Sequence, residues 1–199
     1  MLIVFGGLPG FGKTMLARSL SISIQAVYLR INTIEQAIRI AIGPSTNMGE
    51  LGYRVAYEVA KDNLRSGLTV ITDSVNRLRI TRDSWRAVGR DVGINVLEIE
   101  VACSDIAEHQ QRVESSVSDI AGMKMPTWEE VLARKYDAWQ GDRIIVDTAG
   151  RSADESLKEL ITRLEPWPQT RWPPAPAEKL QPTCARYPER TIGDSSGGW

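Results

Sequence analysis

The residues from Gly7 to Thr14 constrain this chain most, because they combine a glycine-rich turn with an apolar run before it and a helical pattern after it. They read Gly-Leu-Pro-Gly-Phe-Gly-Lys-Thr and match the pattern GxxxxGK[ST] in full. Glycines let backbone N–H groups turn inward, and the start of a helix adds partial positive charge, so such a loop encloses a phosphate group. The pattern predicts a nucleoside triphosphate site on an α/β sheet.

Each residue of this loop is a candidate for binding ATP or a related triphosphate. The Lys13 ammonium can reach the β- and γ-phosphates, and the Thr14 hydroxyl can bind Mg²⁺. The predicted nucleotide-binding residues of the loop are Gly7, Leu8, Pro9, Gly10, Phe11, Gly12, Lys13 and Thr14.

The rest of the chain alternates between apolar runs and helical patterns, which predicts an α/β fold with a five-stranded parallel sheet and helices on both faces. The predicted strands are 1–6, 26–31, 68–72, 94–102 and 143–146. The predicted helices are 12–24, 33–41, 51–64, one that opens at 81, 104–116, 126–139 and 152–164.

Composition changes near residue 166 and suggests two regions. Residues 1–165 carry the alternating pattern, whereas 166–199 contain most of the ten prolines and half of the six tryptophans. Sequence rich in proline, serine and glycine seldom packs into regular elements. We therefore predict a P-loop domain over 1–165 and a disordered tail over 166–199.

Charge and hydropathy limit the classes of partner and the compartment. A formal net charge of -1 does not favour a protein whose affinity comes from neutralising a nucleic-acid backbone. No apolar run approaches the roughly 18 residues that a membrane helix needs. The opening apolar residues lack a basic segment before them, so they do not resemble a secretion signal, and the expected compartment is the cytoplasm. The oligomeric state is not predicted.

Asp73 follows the third predicted strand and is the second candidate site residue. Carboxylates at strand ends in open α/β sheets face the ligand crevice. Asp73 can therefore hold Mg²⁺ together with Thr14, or polarise an acceptor hydroxyl. The alternative is that Asp73 only caps a helix or lies in a surface turn.

Two classes of P-loop protein fit the remaining sequence poorly. The segment 147–150 reads Asp-Thr-Ala-Gly and resembles a GTPase switch motif, but it follows the fifth strand and no NKxD motif is present. A motor ATPase usually has a glutamate after the strand-end aspartate, where this chain has Ser74. The small P-loop kinases remain.

Residues 1–164 resemble these small kinases. The segment Asp73-Ser74-Val75-Asn76 is similar to the Asp-x-x-Asn of polynucleotide-kinase-like and zeta-toxin-like members. More closely, the chain resembles a bacterial group of predicted kinases often labelled AAA-family ATPases, through segments such as 28–31, 52–57, 126–131 and 146–151. More distantly, the chain resembles chloramphenicol phosphotransferase and adenylylsulfate kinase.

The resemblance implies further roles. A lid of about 112–125 would close over the phosphates, and Arg112 would stabilise the transferred phosphoryl group or flank the adenine. Thr148, Ala149 and Gly150 would lie near the adenine ring. For Arg112, an exposed helix arginine is the alternative.

Two departures from the kinase pattern concern the acceptor. The residue expected to end the second strand is commonly aspartate, which deprotonates the acceptor hydroxyl, but here it is Asn32. Ser116 stands where the group often has a second lid arginine. Both suggest weak activity, although Glu35, one helical turn later, could replace the missing base.

The sequence therefore predicts an ATP-dependent kinase that phosphorylates a hydroxyl group of a small molecule with Mg²⁺. Two alternatives stay open: a kinase acting on a nucleic-acid end or nucleotide-sugar, and a nucleotide-binding regulatory module with little turnover. Three other arginines, Arg77, Arg79 and Arg82, either meet an anionic substrate or form a solvated loop. His109 is expected at the surface or half-buried, and Trp85, Trp128 and Trp139 in the core.

Overall fold

A computed structural model describes residues 1–43 and 48–164. It contains a five-stranded sheet in which every neighbouring pair of strands is parallel. The strands are β1 (Leu2–Gly6), β2 (Val27–Arg30), β3 (Val70–Asp73), β4 (Val96–Ala102) and β5 (Ile144–Asp147). The helices are α1 (Lys13–Ser23), α2 (Ile31–Ile42), α3 (Leu51–Arg65), α4 (Arg79–Val92), α5 (Ile106–Ser115), α6 (Trp128–Leu132) and α7 (Ala153–Leu164). The predicted five-stranded parallel fold is confirmed.

The strand order β2-β3-β1-β4-β5 puts β1 at the centre of the sheet. The chain leaves β1 toward β2 and β3 on one side and later crosses to β4 and β5 on the other. Ligands of open α/β sheets bind beyond the carboxyl ends of the strands, where the order reverses in this way. The segment Gly7–Gly12 after β1 lies at that point.

Helices cover both faces of the sheet because successive strand residues point to opposite sides. On one face, Ile3 and Phe5 of β1 pack in a core with residues of α1 and α7. On the other, Leu2 and Val4 pack with residues of α3 and α4, including the fully buried Trp85. All residues of β1 are buried, as a central strand of a doubly wound sheet requires.

The helix predicted over 126–139 is wrong in its second half, because α6 ends at Leu132. Carbonyl groups of the following loop are bonded to a different part of the chain instead: Arg82 donates to those of Asp137 and Ala138, at 3.0 and 2.9 Å. The same loop caps α4, since the Asp137 carboxylate accepts from the Arg79 N–H at 3.0 Å. α4 therefore begins at Arg79, earlier than predicted.

No helix within residues 1–43 and 48–164 is long and apolar enough to span a membrane. The predicted tail over 166–199 lies outside the described residues, and so does most of the predicted loop at 43–47.

Candidate active site

The glycine-rich loop lies against β4 and the segment after β3. Gly7 donates its N–H to the Val75 carbonyl at 3.1 Å, and a side chain on Gly7 would collide with the Val101 carbonyl oxygen. Gly10 has a φ of 86°, and a Cβ there would come within 2.6 Å of the Val113 side chain. Only glycine fits at these two positions, as is usual in loops whose backbone binds phosphate.

His109 supports the loop from α5. Its Nε2 lies 2.8 Å from the Pro9 carbonyl oxygen, and because that oxygen can only accept, Nε2 carries the proton. The imidazole packs between the rings of Phe11 and Trp128, at centroid distances of 4.4 and 4.9 Å. His109 is buried, so the predicted surface or half-buried position is wrong. The only feature of the sequence that could have indicated this role is the position of His109, one turn after the helix cap Asp105.

Lys13 opens α1 directly after the loop, and only 8% of it is exposed. Its Nζ lies 4.0 Å from Oδ1 of Asp73. Burial lowers the pKa of Lys13 below its ordinary value of 10.5; the Asp73 charge opposes this shift, and the charges of Arg30 and Arg134 add to it. A buried ammonium with one carboxylate nearby and two other cations in range is a site prepared for added negative charge.

Asp73 ends β3 and is 3% exposed. Tyr28 of β2 donates its hydroxyl to Oδ2 of Asp73 at 2.7 Å, and Nε of Arg30 lies 3.8 Å from the same oxygen. Burial and the Asp73 charge raise the pKa of Tyr28, so the phenol stays a neutral donor. The structure thus brings Asp73 and Lys13 together, as the sequence predicted, and adds Tyr28 and Arg30, which the sequence analysis missed.

The signal for Tyr28 and Arg30 was present in the strand pattern. Two residues apart on β2, they point to the same face of the sheet, and β2 pairs in parallel register with β3 so that Arg30 lies beside Asp73. Polar side chains at the carboxyl end of a strand next to Asp73 were therefore candidates.

A divalent cation fits this end of the sheet by the chemistry of the side chains. Thr14 in the first turn of α1 and Asp73 offer a hydroxyl and a carboxylate, the hard oxygen donors that Mg²⁺ prefers. Such ions are commonly held by one or two protein oxygens together with substrate phosphates. The pair predicted from the sequence is compatible with that role.

The opposite wall of the site is built around Thr148, which follows β5 and is 3% exposed. Arg112 of α5 donates to the Thr148 hydroxyl and carbonyl oxygens, at 2.8 and 3.0 Å. Glu108 forms an ion pair with Arg112 and accepts from the Gly150 N–H at 2.8 Å. Arg112 therefore binds the segment 148–150, where the adenine is expected, and its hydrogen bonds do not run toward Lys13 and Asp73.

The predicted end of the second strand at Asn32 is wrong. β2 ends at Arg30, and Asn32 lies in the first turn of α2. Glu35 is half-buried one turn later, and its side chain fills the space beside Gly52 of α3. Burial raises the pKa of Glu35, while the Arg39 charge opposes the shift.

The predicted lid of 112–125 is helical at its start, since α5 continues to Ser115. From Ser116 to α6 the chain is irregular and extends to the other side of the site. The Asp119 carboxylate pairs with Arg18 of α1 at 2.8 Å and with Arg30 at 2.7 Å. Gln36 of α2 donates to the Ala121 carbonyl at 3.0 Å. We call residues 116–126 the lid segment.

The arginines after Asp73 have separate roles. Arg82 is 1% exposed, stacks on Trp139 and donates to the Asn76 carbonyl at 2.8 Å, so it is neither a solvated nor a substrate-facing residue. Arg77 donates to the Lys135 carbonyl, and Arg79 pairs with the Asp83 carboxylate.

Asn76 adopts a φ of 47° and donates its side-chain amide to the Phe5 carbonyl at 2.7 Å. Through Asn76, which also accepts from Arg82, the loop after Asp73 is joined to β1.

Comparison with known proteins identifies a family whose model matches most of this chain. A model of a family described as an AAA domain matches residues 2–135. The chain is 25% identical over 175 residues to "Probable bifunctional SAT/APS kinase 2" of Sorangium cellulosum. It is 27% identical over 177 residues to the adenylyl-sulfate kinase of Prochlorococcus marinus.

The two matches differ in how much of each relative they cover. They include 81% and 82% of this chain, but 28% of the Sorangium protein and 83% of the Prochlorococcus protein. Among solved structures, a sugar kinase from Janibacter sp. HTCC2649 in its unliganded form has a TM-score of 0.60 at 19% identity, covering 82% of this chain and 94% of that one. At that identity, the likeness concerns the fold alone.

Proposed function

The chain belongs to the family described as an AAA domain, among the small P-loop kinases, and we propose that it transfers the γ-phosphoryl group of ATP to a hydroxyl group of a small molecule. The observation that carries this proposal is the pair of Lys13 and Asp73. Both side chains are buried and 4.0 Å apart, with Lys13 at the start of the helix that follows the glycine-rich loop and Asp73 at the end of β3. The relatives named as kinases support the same class of reaction.

The loop and Lys13 act on the phosphates. Backbone N–H groups at the end of the loop and in the first turn of α1 would bind the β-phosphate, and Lys13 would provide a positive charge between the β- and γ-phosphates. Because Lys13 is buried, its charge is poorly screened and acts strongly on charge that develops during transfer. Phosphoryl transfer depends mainly on such positioning and charge stabilisation.

Asp73 and Thr14 are the residues that would hold Mg²⁺. When bound, the ion neutralises charge on the β- and γ-phosphate oxygens. The Tyr28 hydroxyl, 2.7 Å from Oδ2, fixes the orientation of the Asp73 carboxylate. One carboxylate oxygen of Asp73 therefore accepts from Tyr28, and the other lies toward Lys13.

The lid segment and the segment 148–150 close the two ends of the site. Asp119 and Ala121 join the lid segment to α1, β2 and α2 beside Asp73. A lid closed over the reacting groups would exclude water from the reaction. Arg112 and Glu108 hold 148–150 rigidly, which supports a preformed wall for the adenine.

A nucleotide-binding module with little turnover is the second candidate, and Asn32 is the observation that favours it. An amide cannot accept the proton of an acceptor hydroxyl, and Ser116 supplies no charge to the transferred group. A kinase acting on nucleic-acid ends is less favoured, because the chain carries a net charge of -1.

The test is to incubate the protein with γ-labelled ATP, Mg²⁺ and a metabolite extract, and to identify what becomes labelled. We expect a labelled small molecule with the wild-type chain. The matched control, Lys13→Ala, should fold normally and lose on the order of 10²–10³ in rate, because it removes charge at the phosphates and little packing.

Other outcomes separate the alternatives. Label that appears only on added oligonucleotides would contradict a small-molecule acceptor. Tight ATP binding with no labelled product from any extract would favour the module without turnover. Full turnover in a folded Lys13→Ala protein would contradict the assignment of the loop itself.

A further inference from the structure

Two arginines from separate elements bind one carboxylate at the edge of the proposed site. Arg18 of α1 contacts Oδ2 of Asp119 at 2.8 Å, and Arg30 at the end of β2 contacts Oδ1 at 2.7 Å. Each oxygen of the carboxylate therefore has its own guanidinium donor. Arginine pairs of this kind suit an oxyanion with at least two terminal oxygens, because each bond is charge-assisted and directional.

Arg30 connects this pair to the reacting end of the site. Its Nε lies 3.8 Å from Oδ2 of Asp73, beyond hydrogen-bond distance, and within the described residues that buried nitrogen has no hydrogen-bond partner. Asp73 thus leaves part of the Arg30 guanidinium unsatisfied. A ligand group bound by Arg30 would lie beside the residue proposed to hold Mg²⁺, at the carboxyl end of β2 where an acceptor is expected.

The Asp119 carboxylate lies where an anion from solution can compete with it for the two arginines. The side chains of Arg18 and Asp119 are 50% and 49% exposed, so solvent and solutes reach the pair. An exposed pair such as Arg18–Asp119 contributes little to stability. The bond from Arg30, whose side chain is 12% exposed, is the more buried of the two. Asp119 also belongs to the irregular lid segment, not to a helix or strand. The two arginines lie on α1 and β2, so their backbone positions are set by the sheet and its helix and not by the lid segment.

Positive charge exceeds negative charge among the residues that meet here. Lys13, Arg18 and Arg30 face Asp73 and Asp119, which leaves one positive charge uncompensated by these contacts. Hydrogen bonds from Arg18 and Arg30 hold the pKa of Asp119 at about 2, so the carboxylate is ionised at any working pH. The position accepts a full negative charge.

We propose that Arg18 and Arg30 form an anion-binding subsite for the phosphoryl acceptor, and that Asp119 occupies this subsite until the acceptor binds. The acceptor then carries a carboxylate, sulfate or phosphate group as well as the hydroxyl that is phosphorylated. Calling the ligand a phosphoryl acceptor rests on the proposed function. The existence of the anion-binding subsite can be tested by binding alone. It defines a class of substrate that the fold leaves open.

The experiment measures anion binding with the glycine-rich loop already filled. The protein is saturated with Mg²⁺ and a non-hydrolysable ATP analogue, and inorganic phosphate, sulfate and acetate are titrated in turn by calorimetry at constant ionic strength. Asp119→Asn removes the internal competitor and should raise the affinity for at least one of these anions on the order of fivefold. Asp119→Ala should do the same by a second route.

Two variants make the result specific. Adding Arg30→Gln to Asp119→Asn should abolish the gain, because one of the two donors is lost. Asp62→Asn is the matched control, since it removes a carboxylate from an exposed Asp–Arg pair on α3, away from the site, and should leave anion affinity unchanged. Melting curves of all variants verify that each is folded.

The inference is overturned if neither Asp119 variant binds any of the three anions more tightly, or if the gain survives Arg30→Gln. These readouts need no turnover. A gain in anion affinity without any labelled product would therefore leave the subsite standing while the kinase proposal fails. Efficient transfer to an uncharged acceptor, with no gain in Asp119→Asn, would show the reverse.

Discussion

Lys13 shows how one buried residue gives the site a pH dependence. Burial lowers the pKa of Lys13 in the free protein, whereas a bound triphosphate would favour the charged ammonium and raise it again. Nucleotide binding then takes up a proton in the pH range between these two values. We predict that the Kd for an ATP analogue increases as pH rises through this range, measured by calorimetry in buffers of different ionisation enthalpy.

The stability of the free protein should change in the opposite direction. A lysine whose folded pKa is lowered binds fewer protons when folded than when unfolded, so its contribution to stability improves as pH rises from the lowered value to 10.5. Lys13→Met is the control, because it keeps the length of the side chain without the charge. Equal pH slopes of unfolding free energy in the two proteins would contradict a lowered pKa.

Asn32 and Glu35 give a second prediction at the same scale. If Asn32, in the first turn of α2, faces the acceptor, Asn32→Asp should raise kcat by up to about 10²-fold with little change in the KM for ATP, because it restores a proton acceptor. The gain should grow as pH rises through the carboxylate pKa. The measurement is a steady-state assay on an acceptor found by labelling.

Glu35 provides the competing account, to be assayed on the same acceptor. If Glu35 is already the base, Glu35→Gln should cripple the enzyme, and Asn32→Asp should help little because it adds like charge nearby. Because the pKa of Glu35 is raised, the side chain becomes ionised at a higher pH than an ordinary glutamate does. Unchanged rates in both variants would mean that neither side chain faces the acceptor.

At the scale of elements, the glycine-rich loop should not tolerate a side chain at Gly10. The residue has a φ of 86°, and a Cβ would come within 2.6 Å of Val113 and 3.0 Å of the His109 ring. Gly10→Ala should cost about 1–3 kcal/mol of stability through this overlap and the backbone strain. It should also weaken ATP binding, as measured by calorimetry beside chemical denaturation.

Gly67 offers a matched comparison for that prediction. It has a φ of 82°, but a Cβ there meets no atom within 4 Å. Gly67→Ala should therefore show the backbone strain alone, with ATP affinity unchanged. Equal losses in the two variants would show that the contacts of Gly10 with α5 are unimportant.

The sequence predicted the elements well where hydrophobic patterning decides them. All five strands and the positions of α1, α3 and α7 follow from apolar periodicity. The end of α6 and the start of α4 were missed because Arg82 and Asp137 form hydrogen bonds between segments far apart in the sequence. Local propensity carries no information about such partners.

The same distinction applies to the site. Lys13 and Asp73 were predicted because a motif and a strand end place them, and the structure brings them together. The pairing of Arg30 with Asp119 was missed because it is a contact between β2 and the lid segment, 89 residues apart. The path of an irregular segment across a surface is set by tertiary packing and not by its own sequence pattern.

At the scale of the whole molecule, the described core extends to the last turn of α7. Leu160 and Leu164 are buried against the sheet and complete one of its two cores. We predict that deleting 166–199, which lies outside the described residues, shifts the melting temperature by no more than about 2 °C. Deletion from Ala153 onward, which also removes α7, is the contrasting variant and should abolish cooperative unfolding.

The backbone contacts around the glycine-rich loop have a consequence for how such a protein can diverge over time. A main-chain bond between Gly7 and Val75 and one side-chain bond, from His109 to the Pro9 carbonyl, hold the loop, so most side-chain replacements elsewhere leave it intact. The edge of the site beside β2 is formed by the side chains of Arg18, Arg30 and Asp119. If Arg18 and Arg30 bind the acceptor as proposed, a lineage could change its acceptor by replacing a few residues at this edge, while the nucleotide-binding loop is inherited unchanged.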